Sequence, residues 1–272
     1  EYKGDAIIKV DAHAVIPEDF VSKNVRVLET GEYICGGQRP NIIDKPTPFK
    51  ETLLLAESSM FGSSIASYRN NPGKTYVKSL FHAAYRREVF EKVGFFNEEL
   101  VRTEDNEIHY RMRKAGYKLC FDPDIISYQY TRSSLKAMLK QKYANGYWIG
   151  KTSKVCPKCL SIYHFVPFAF VSAIIASGSV IGATGLAECI KKRHNHTLGK
   201  GISALRKVTV VLTTVMWVLY ALMASGMAAV SAFKAEDKRN ITNACLPVLF
   251  LLLHLSYGIG TIAGLMDKSK RG

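Results

Sequence analysis

An acidic cluster between Glu98 and Glu107 is the strongest chemical signal in this sequence. Within ten residues the chain places five carboxylates, although its formal net charge is +14: Glu98, Glu99, Glu104, Asp105 and Glu107. Carboxylates in the first turn of a helix each stabilise it by about 0.3–1 kcal/mol, which would account for the last three without any chemistry. A carboxylate beside a substrate hydroxyl can instead act as a general base. The helix pattern alone favours neither interpretation.

A second polar pair, Asp11 and His13, follows a short apolar segment over residues 5–10 that reads as a buried strand. Ligands of open α/β sheets bind beyond the carboxyl ends of the strands, so both side chains can reach one cation there. A carboxylate with an imidazole suits Mn²⁺, and Mg²⁺ where the carboxylate dominates. Alone this pattern is weak evidence. Beside the acidic cluster it predicts a divalent metal site at Asp11 and His13.

The elements that must position these residues alternate between strands and helices. We predict strands over 5–10, 33–37 and 117–123, and helices over 17–31, 49–61, 84–94 and 103–116. Thr103 is the expected N-cap of the last helix, acids fill its first turn, and Gly116 ends it. Alternation of this kind is typical of an α/β fold. We therefore expect an α/β domain over residues 1–155.

Residues 156–272 form a second region, with three long uncharged segments. They cover residues 161–187, 208–233 and 241–266, and each exceeds the ~20 apolar residues that a membrane-spanning helix needs. His164 and Pro167 interrupt the first segment, so a re-entrant segment is the alternative there. Basic runs such as "KKRHNH" lie at the segment edges, where they would meet anionic lipid headgroups. We therefore expect membrane lipids, and not nucleic acid, as partners of the basic charge.

Three other motifs are expected to be structural. Cys156 and Cys159 form the C-x-x-C pair of the chain, and a zinc or redox site would need a second pair or a redox fold around it. His82 is a lone histidine near the acidic segment. His254 is polar within the third apolar segment, where we expect it to pack against another helix.

The chain as a whole resembles a membrane-bound family 2 glycosyltransferase of the GT-A type, similar to the succinoglycan-type polysaccharide transferases. Five segments carry the resemblance, in chain order: "KVDAHAVIPEDFV", "CGGQRP", "AAYRREVFEKVGFFNEELVRTEDNEIHYRMRKAGYKLCFDP", "KQKYANGYWIGK" and "HLSYGIGTIAGLM". The block around Thr103-Glu104-Asp105 is the most specific. The resemblance implies a partial GT-A domain, because the family's first βαβ units, which bind the nucleoside, are missing. We expect an N-terminal truncation.

The resemblance also implies chemistry. It implies an inverting hexosyltransferase that moves a sugar from a nucleotide-sugar donor to a saccharide or polyprenyl-linked acceptor in surface polysaccharide biosynthesis. Asp105 would be the base, supported by Thr103 and Glu104, and Asp11 with His13 would bind the Mn²⁺ or Mg²⁺ cofactor. The residues expected at the acceptor are Gly36, Gly37, Gln141 and Trp148.

Two alternatives stay open. A processive polysaccharide synthase would carry a Gln-x-x-Arg-Trp motif, but here Gln141 and Trp148 stand in its place without the Arg, which favours addition of one or a few sugars. Trp148 would otherwise be an aromatic anchor at the membrane interface. The second alternative is a non-catalytic membrane-anchored binding module.

A nucleotide-sugar donor implies a catalytic domain on the cytoplasmic side of a multi-pass protein in the plasma membrane. The basic segment 188–207 would then lie outside, against the positive-inside tendency, unless the first apolar segment is re-entrant.

Overall fold

The computed structural model describes residues 3–12, 14–62, 73–193, 199–235 and 240–269, except the side chain of Lys192. Its strands are β1 (Ala6–Lys9), β2 (Ala14–Val15), β3 (Ile34–Gln38), β4 (Asn41–Ile42), β5 (Thr75–Val77), β6 (Ala83–Arg86), β7 (Leu119–Ile126) and β8 (Tyr128–Tyr130). Its helices are α1 (Phe20–Glu29), α2 (Pro48–Ser58), α3 (Arg87–Val93), α4 (Glu104–Lys114), α5 (Leu135–Val155), α6 (Val166–Arg193), α7 (Lys200–Lys234) and α8 (Leu246–Met266).

A mixed five-stranded sheet in the order β1-β6-β3-β7-β5 forms the centre of the α/β part. Strands β3 and β7 are parallel, and the other pairs are antiparallel. Successive side chains of a strand point to opposite faces, so Ile34 packs with α3 and α4 on one face while Cys35 packs with α1 on the other. Helices thus cover both faces, and the predicted α/β fold with a GT-A-type domain is confirmed. A small second sheet, β2-β8-β4, lies beside it.

The helix predicted over residues 84–94 is wrong at its start. Residues Ala83–Arg86 form β6, and the helix begins only at Arg87. Strand β6 lies between β1 and β3 and bonds to both, so its alanines are fully buried. Pairing on both edges outweighs the helix propensity of Ala and Arg, which is a weak local preference.

Three helices are long and apolar enough to cross a membrane: Ile162–Lys191, Lys200–Lys234 and Ile241–Met266. The interruptions predicted in the first segment do not break its helix. His164 lies in a 3₁₀ turn over Ile162–Phe165, and Pro167 is the second residue of α6, where a missing N–H costs no helical hydrogen bond. The helix then continues to Arg193.

Helix α8 joins the apolar region to the α/β part by packing in parallel along α5. Glycines lie at the contact, and a Cβ on Gly146, Gly260 or Gly264 would collide with a backbone carbonyl of the opposite helix. Small residues of this kind let two helix backbones approach closely. Ser256 adds a 2.8 Å hydrogen bond from its Oγ to the carbonyl oxygen of Leu139. These contacts fix α8 against α5.

Candidate active site

A cavity of about 740 Å³ lies between the α/β part and the helices α5, α6 and α8. One end, here called the carboxylate end, is formed by Asp11, Glu104 and Asp105. The other, here called the apolar end, is formed by Ile149 of α5, Val166 of α6, and Leu253 and Tyr257 of α8, together with Tyr163. A pocket with one polar and one apolar end suits an amphipathic ligand.

The carboxylate end is organised around Lys9, the last residue of β1. Its Nζ donates hydrogen bonds to Asp105 Oδ1 at 2.8 Å and to Glu104 Oε1 at 3.3 Å, and lies 3.6 Å from Asp11 Oδ1. Glu104 and Asp105 begin α4, and Asp11 lies two residues beyond Lys9 in the sequence. The end of β1 and the start of α4 thus bring three carboxylates to one ammonium group.

Asp105 is poised to exchange a proton near neutral pH. Burial raises the pKa of Asp105 to about 7, and the negative charges of Glu104 and Asp11 add to this, while Lys9 opposes it. Burial alone would lower the pKa of Lys9, but its three carboxylate partners raise the pKa overall, so Lys9 stays charged. A base with a pKa near the working pH is ionised in a substantial fraction of molecules and still has a high affinity for the proton.

Thr103 lines the cavity, but its side chain does not make the cap hydrogen bond that was predicted for the start of α4. It occupies the N-cap position, yet its hydroxyl is hydrogen-bonded to the hydroxyl of Thr152 on α5. The pair is buried and fastens the start of α4 to α5. Thr103 therefore supports Asp105 by holding its helix in place.

The residues at Asp11 fit a divalent cation that is shared with a phosphate ligand. Asp11 reaches the cavity, and Glu104 Oε2 is buried with no hydrogen-bond partner among the described residues. Within those residues there is no group of three metal-type ligands, and His13 lies outside them. Mg²⁺ commonly uses one or two carboxylates and takes its other ligands from substrate phosphates and water. The donor set of this chain matches that mode.

Only one of the four predicted acceptor residues lies on the cavity wall. Gln141 lines the cavity, and its Oε1 is buried with no partner within the described ranges. Trp148 is only 8% exposed, packs its ring against Tyr147, and is not on the cavity wall. Gly36 and Gly37 lie inside β3, where a Cβ would collide with the carbonyl oxygen of His82 or Ile125. Close strand packing explains these two glycines, and they are not on the cavity wall.

Several residues in or beside the cavity were given no site role from the sequence. Lys9 carried a weak signal, a lysine ending an apolar strand two residues before an aspartate. His82, expected to be structural, is buried with its Nδ1 2.8 Å from Ser127 Oγ, but its Nε2 also lies 4.0 Å from Asp11 Oδ2. The arginines of the cavity wall could not be distinguished in the sequence from the many other basic residues of the chain. They are Arg39, Arg102 and Arg132.

His254 bridges the cavity wall and the apolar helices. Its ring nitrogens are hydrogen-bonded to the carbonyl oxygen of Phe61 at 2.7 Å and to the hydroxyl of Tyr220 on α7 at 3.0 Å. The expectation that it packs against another helix is therefore confirmed. The Cys156–Cys159 pair has no further Cys, His or carboxylate group around it that could form a metal site in the described part of the chain.

A family model matches most of this chain, and individual relatives match about half to two thirds of it. The sequence model of glycosyl transferase family group 2 matches residues 6–260. The succinoglycan biosynthesis protein ExoA of Rhizobium meliloti (strain 1021) is 27% identical over 145 residues, which is 52% of this chain and 43% of that protein. The O-antigen chain rhamnosyltransferase RfbN of Salmonella typhimurium is 29% identical over 133 residues, 47% of this chain and 42% of that protein.

A third relative is archaeal. The dolichyl N-acetyl-alpha-D-glucosaminyl phosphate 3-beta-D-2,3-diacetamido-2,3-dideoxy-beta-D-glucuronosyltransferase of Methanococcus voltae is 24% identical over 180 residues, 64% of this chain and 54% of that protein. The chain thus spans about half the length of the relatives it matches. From the extent of the family match, this chain belongs to glycosyl transferase family group 2.

Proposed function

We propose that the protein containing this chain is an inverting hexosyltransferase that moves a sugar from a nucleotide-sugar donor to a saccharide or polyprenyl-linked acceptor in surface polysaccharide biosynthesis. Family membership supports sugar transfer, and the relatives named for succinoglycan and O-antigen synthesis support the kind of product. The observation that carries the proposal is Asp105. It is a carboxylate on the cavity wall, 16% exposed and hydrogen-bonded to Lys9, with its pKa raised to about 7.

The proposed step is a single displacement. The acceptor hydroxyl gives its proton to the Asp105 carboxylate, and its oxygen forms a bond to the anomeric carbon. The bond from that carbon to the diphosphate oxygen breaks, and the electron pair leaves with the diphosphate. Because attack comes from the face opposite the leaving group, the anomeric configuration inverts. Lys9 holds Asp105 in place, and its charge keeps about half of the carboxylate ionised at pH 7.

Asp11 is the proposed ligand of a Mn²⁺ or Mg²⁺ ion at the carboxylate end, and His13 stays a prediction as a second ligand. A bound ion would offset the charge that develops on the leaving diphosphate. Arg39 supplies further positive charge here. Its guanidinium lies 3.9 Å from the Phe81 ring centre, Phe81 contacts His82, and His82 adjoins Asp11. The donor diphosphate therefore has cationic partners at the Asp11 side of the cavity.

Gln141 is the proposed acceptor contact on α5, because its buried Oε1 faces the cavity without a partner in the described part of the chain. A sugar hydroxyl would satisfy it. Gly36, Gly37 and Trp148 are not on the cavity wall, so any effect they have on the acceptor would pass through packing. We further propose a cytoplasmic catalytic domain in a multi-pass protein, anchored in the plasma membrane through α6, α7 and α8.

The test compares wild type, Asp105→Asn and Asp124→Asn in the full-length protein, with a panel of nucleotide sugars, Mn²⁺ or Mg²⁺ and a lipid extract as acceptor. Asp124 is an exposed aspartate away from the cavity and serves as the matched control. We expect transfer from one donor, a loss of about 10²–10⁴-fold in Asp105→Asn, and no change in the control. Equal turnover by Asp105→Asn would reject the base, and no turnover by wild type would favour a binding module.

A further inference from the structure

Two arginines of the cavity wall, Arg102 and Arg132, are set apart by the charges around them. Arg102 directly precedes the Thr103-Glu104-Asp105 segment, and Arg132 precedes α5. Among the residues that the structure describes, no carboxylate lies within ion-pair distance of either guanidinium. Two nearby lysines differ, because Lys9 has three carboxylates around it and Lys142 pairs with Glu57 at 3.5 Å.

Both arginines line the same cavity, and the charge of one acts on the other. Burial and the nearby positive charge of Arg132 lower the pKa of the Arg102 guanidinium, and the charge of Glu104 only partly opposes this. Two like charges on one wall repel each other, and a phosphate bound between them would offset this repulsion by attracting both guanidinium groups. Arginine suits this role because its planar fork matches phosphate oxygens.

Arg102 is fastened to α5, the helix that contributes Ile149 to the apolar end of the cavity. Its Nη1 donates a 3.1 Å hydrogen bond to Oδ1 of Asn145 on α5. Asn145 lies one helical turn before Ile149, on the same face of α5, and Ile149 belongs to the apolar end. By contrast, Arg39 belongs to the Asp11 side through Phe81 and His82. The cavity wall thus carries Arg102 beside α5 and Arg39 beside Phe81.

We propose that Arg102 and Arg132 bind the phosphate of a lipid-linked acceptor whose hydrocarbon chain lies along α6 and α8. This inference rests on the proposed function, since it assigns the acceptor side of the same cavity. The apolar end is formed by helices that are apolar enough to span a membrane, so a lipid chain could continue from the cavity along their surface. Arg102 lies three residues before Asp105, so the proposed phosphate site and the proposed base belong to the same short segment of the cavity wall.

The experiment measures ligand binding to the full-length protein in phosphatidylcholine nanodiscs. The three probes are decaprenyl phosphate, decaprenol and inorganic pyrophosphate with Mg²⁺. The variants are Arg102→Gln, Arg132→Gln, their combination, and the charge-preserving Arg102→Lys with Arg132→Lys. Arg26→Gln, on the exposed side of α1, is the matched control.

We expect the combined Gln variant to bind decaprenyl phosphate at least about 10-fold more weakly, reaching the affinity of decaprenol, because two charge-assisted hydrogen-bond partners are lost. Decaprenol binding should stay unchanged, which also shows that the variant is folded. The Lys variant should keep most of the affinity. Arg26→Gln should match wild type.

Two results would overturn the inference. One is a loss of pyrophosphate binding as large as the loss of decaprenyl phosphate binding, which would assign the arginines to a diphosphate of the donor. The other is unchanged binding of decaprenyl phosphate. Asp105→Asn should bind all three probes normally, so failure of the proposed base would leave this test intact and the two failures can be told apart.

Discussion

Removal of the Lys9 charge should move the pH dependence of sugar transfer. Lys9 donates a 2.8 Å hydrogen bond to Asp105 and favours its ionised form, so Lys9→Met should raise the pKa of Asp105 above its value of about 7. A neighbouring opposite charge shifts a carboxylate pKa by about 1–3 units. The two side chains keep 21% and 16% exposure, so solvent screens part of the interaction and we take a shift of about 1–2 units.

The size of the effect on rate follows from the ionised fraction. At pH 7 that fraction is about one half in wild type and would fall to between about one tenth and one hundredth in Lys9→Met. The kcat/KM at pH 7 should therefore drop about 5- to 50-fold. At pH 9.5 most of this loss should disappear, because the base is ionised again.

The assay is the pH profile of kcat/KM for the nucleotide sugar between pH 5.5 and 9.5, in the full-length protein. Lys9→Arg keeps the charge and should leave the acid limb near pH 7. Lys23→Met is the control, since Lys23 forms an exposed pair with Asp19 on α1. A Lys9→Met profile that is lowered equally at every pH, with its acid limb in place, would refute the electrostatic role of Lys9.

Three further predictions concern stability, each measured as the melting temperature in detergent. Burial raises the pKa of Asp105 from 3.8 to about 7, so this carboxylate destabilises the folded protein as the pH rises through that window. Asp105→Asn should therefore have a higher melting temperature than wild type at pH 8 and a similar one at pH 4. A lower melting temperature of the variant at pH 8 would contradict this. Gly260→Ala should be destabilised by about 1–3 kcal/mol, because the new Cβ would collide with the Tyr143 carbonyl oxygen. Gly226→Ala on α7 is the control and should be neutral, because no atom lies within 4 Å of a Cβ there. Equal effects of the two variants would reject the α5–α8 contact. Thr103→Val and Thr152→Val should each lower the free energy of unfolding by about 1–3 kcal/mol, because either change alone leaves a buried hydroxyl unpaired. The double variant should lose less than the sum of the two single losses. Additive losses would show that the two hydroxyls are not coupled.

Much of the α/β part could be predicted because local signals agree with the fold. Helix α4 has acids in its first turn, basic residues in its last, and Gly116 after it in a left-handed conformation, so the sequence places it within a residue or two. Strand β6 was missed because it depends on neighbours. Ala83 and Ala84 favour a helix on their own, and only pairing with β1 and β3 makes them a strand.

The site could be predicted in outline but not in its contacts. The rule that ligands bind at the ends of strands led to Asp11, and the acidic helix led to Asp105. Lys9 and Asp105 are 96 residues apart in sequence, and no periodicity shows that their side chains meet. Arg102 and Arg132 gave no signal for a similar reason, since many other basic residues of the chain lie outside the cavity. Trp148 looked like a ligand contact, and its burial against Tyr147 follows from the orientation of α5 along α8.

The configuration of the newly formed glycosidic bond is the measurement that we would make first. Proton NMR of the product, made by the full-length protein from a donor of known anomeric configuration, reads this from the coupling of the anomeric proton. Direct displacement with Asp105 as the base predicts a product of opposite configuration to the donor. A product of the same configuration would contradict a single displacement and would require Asp105 to have another role.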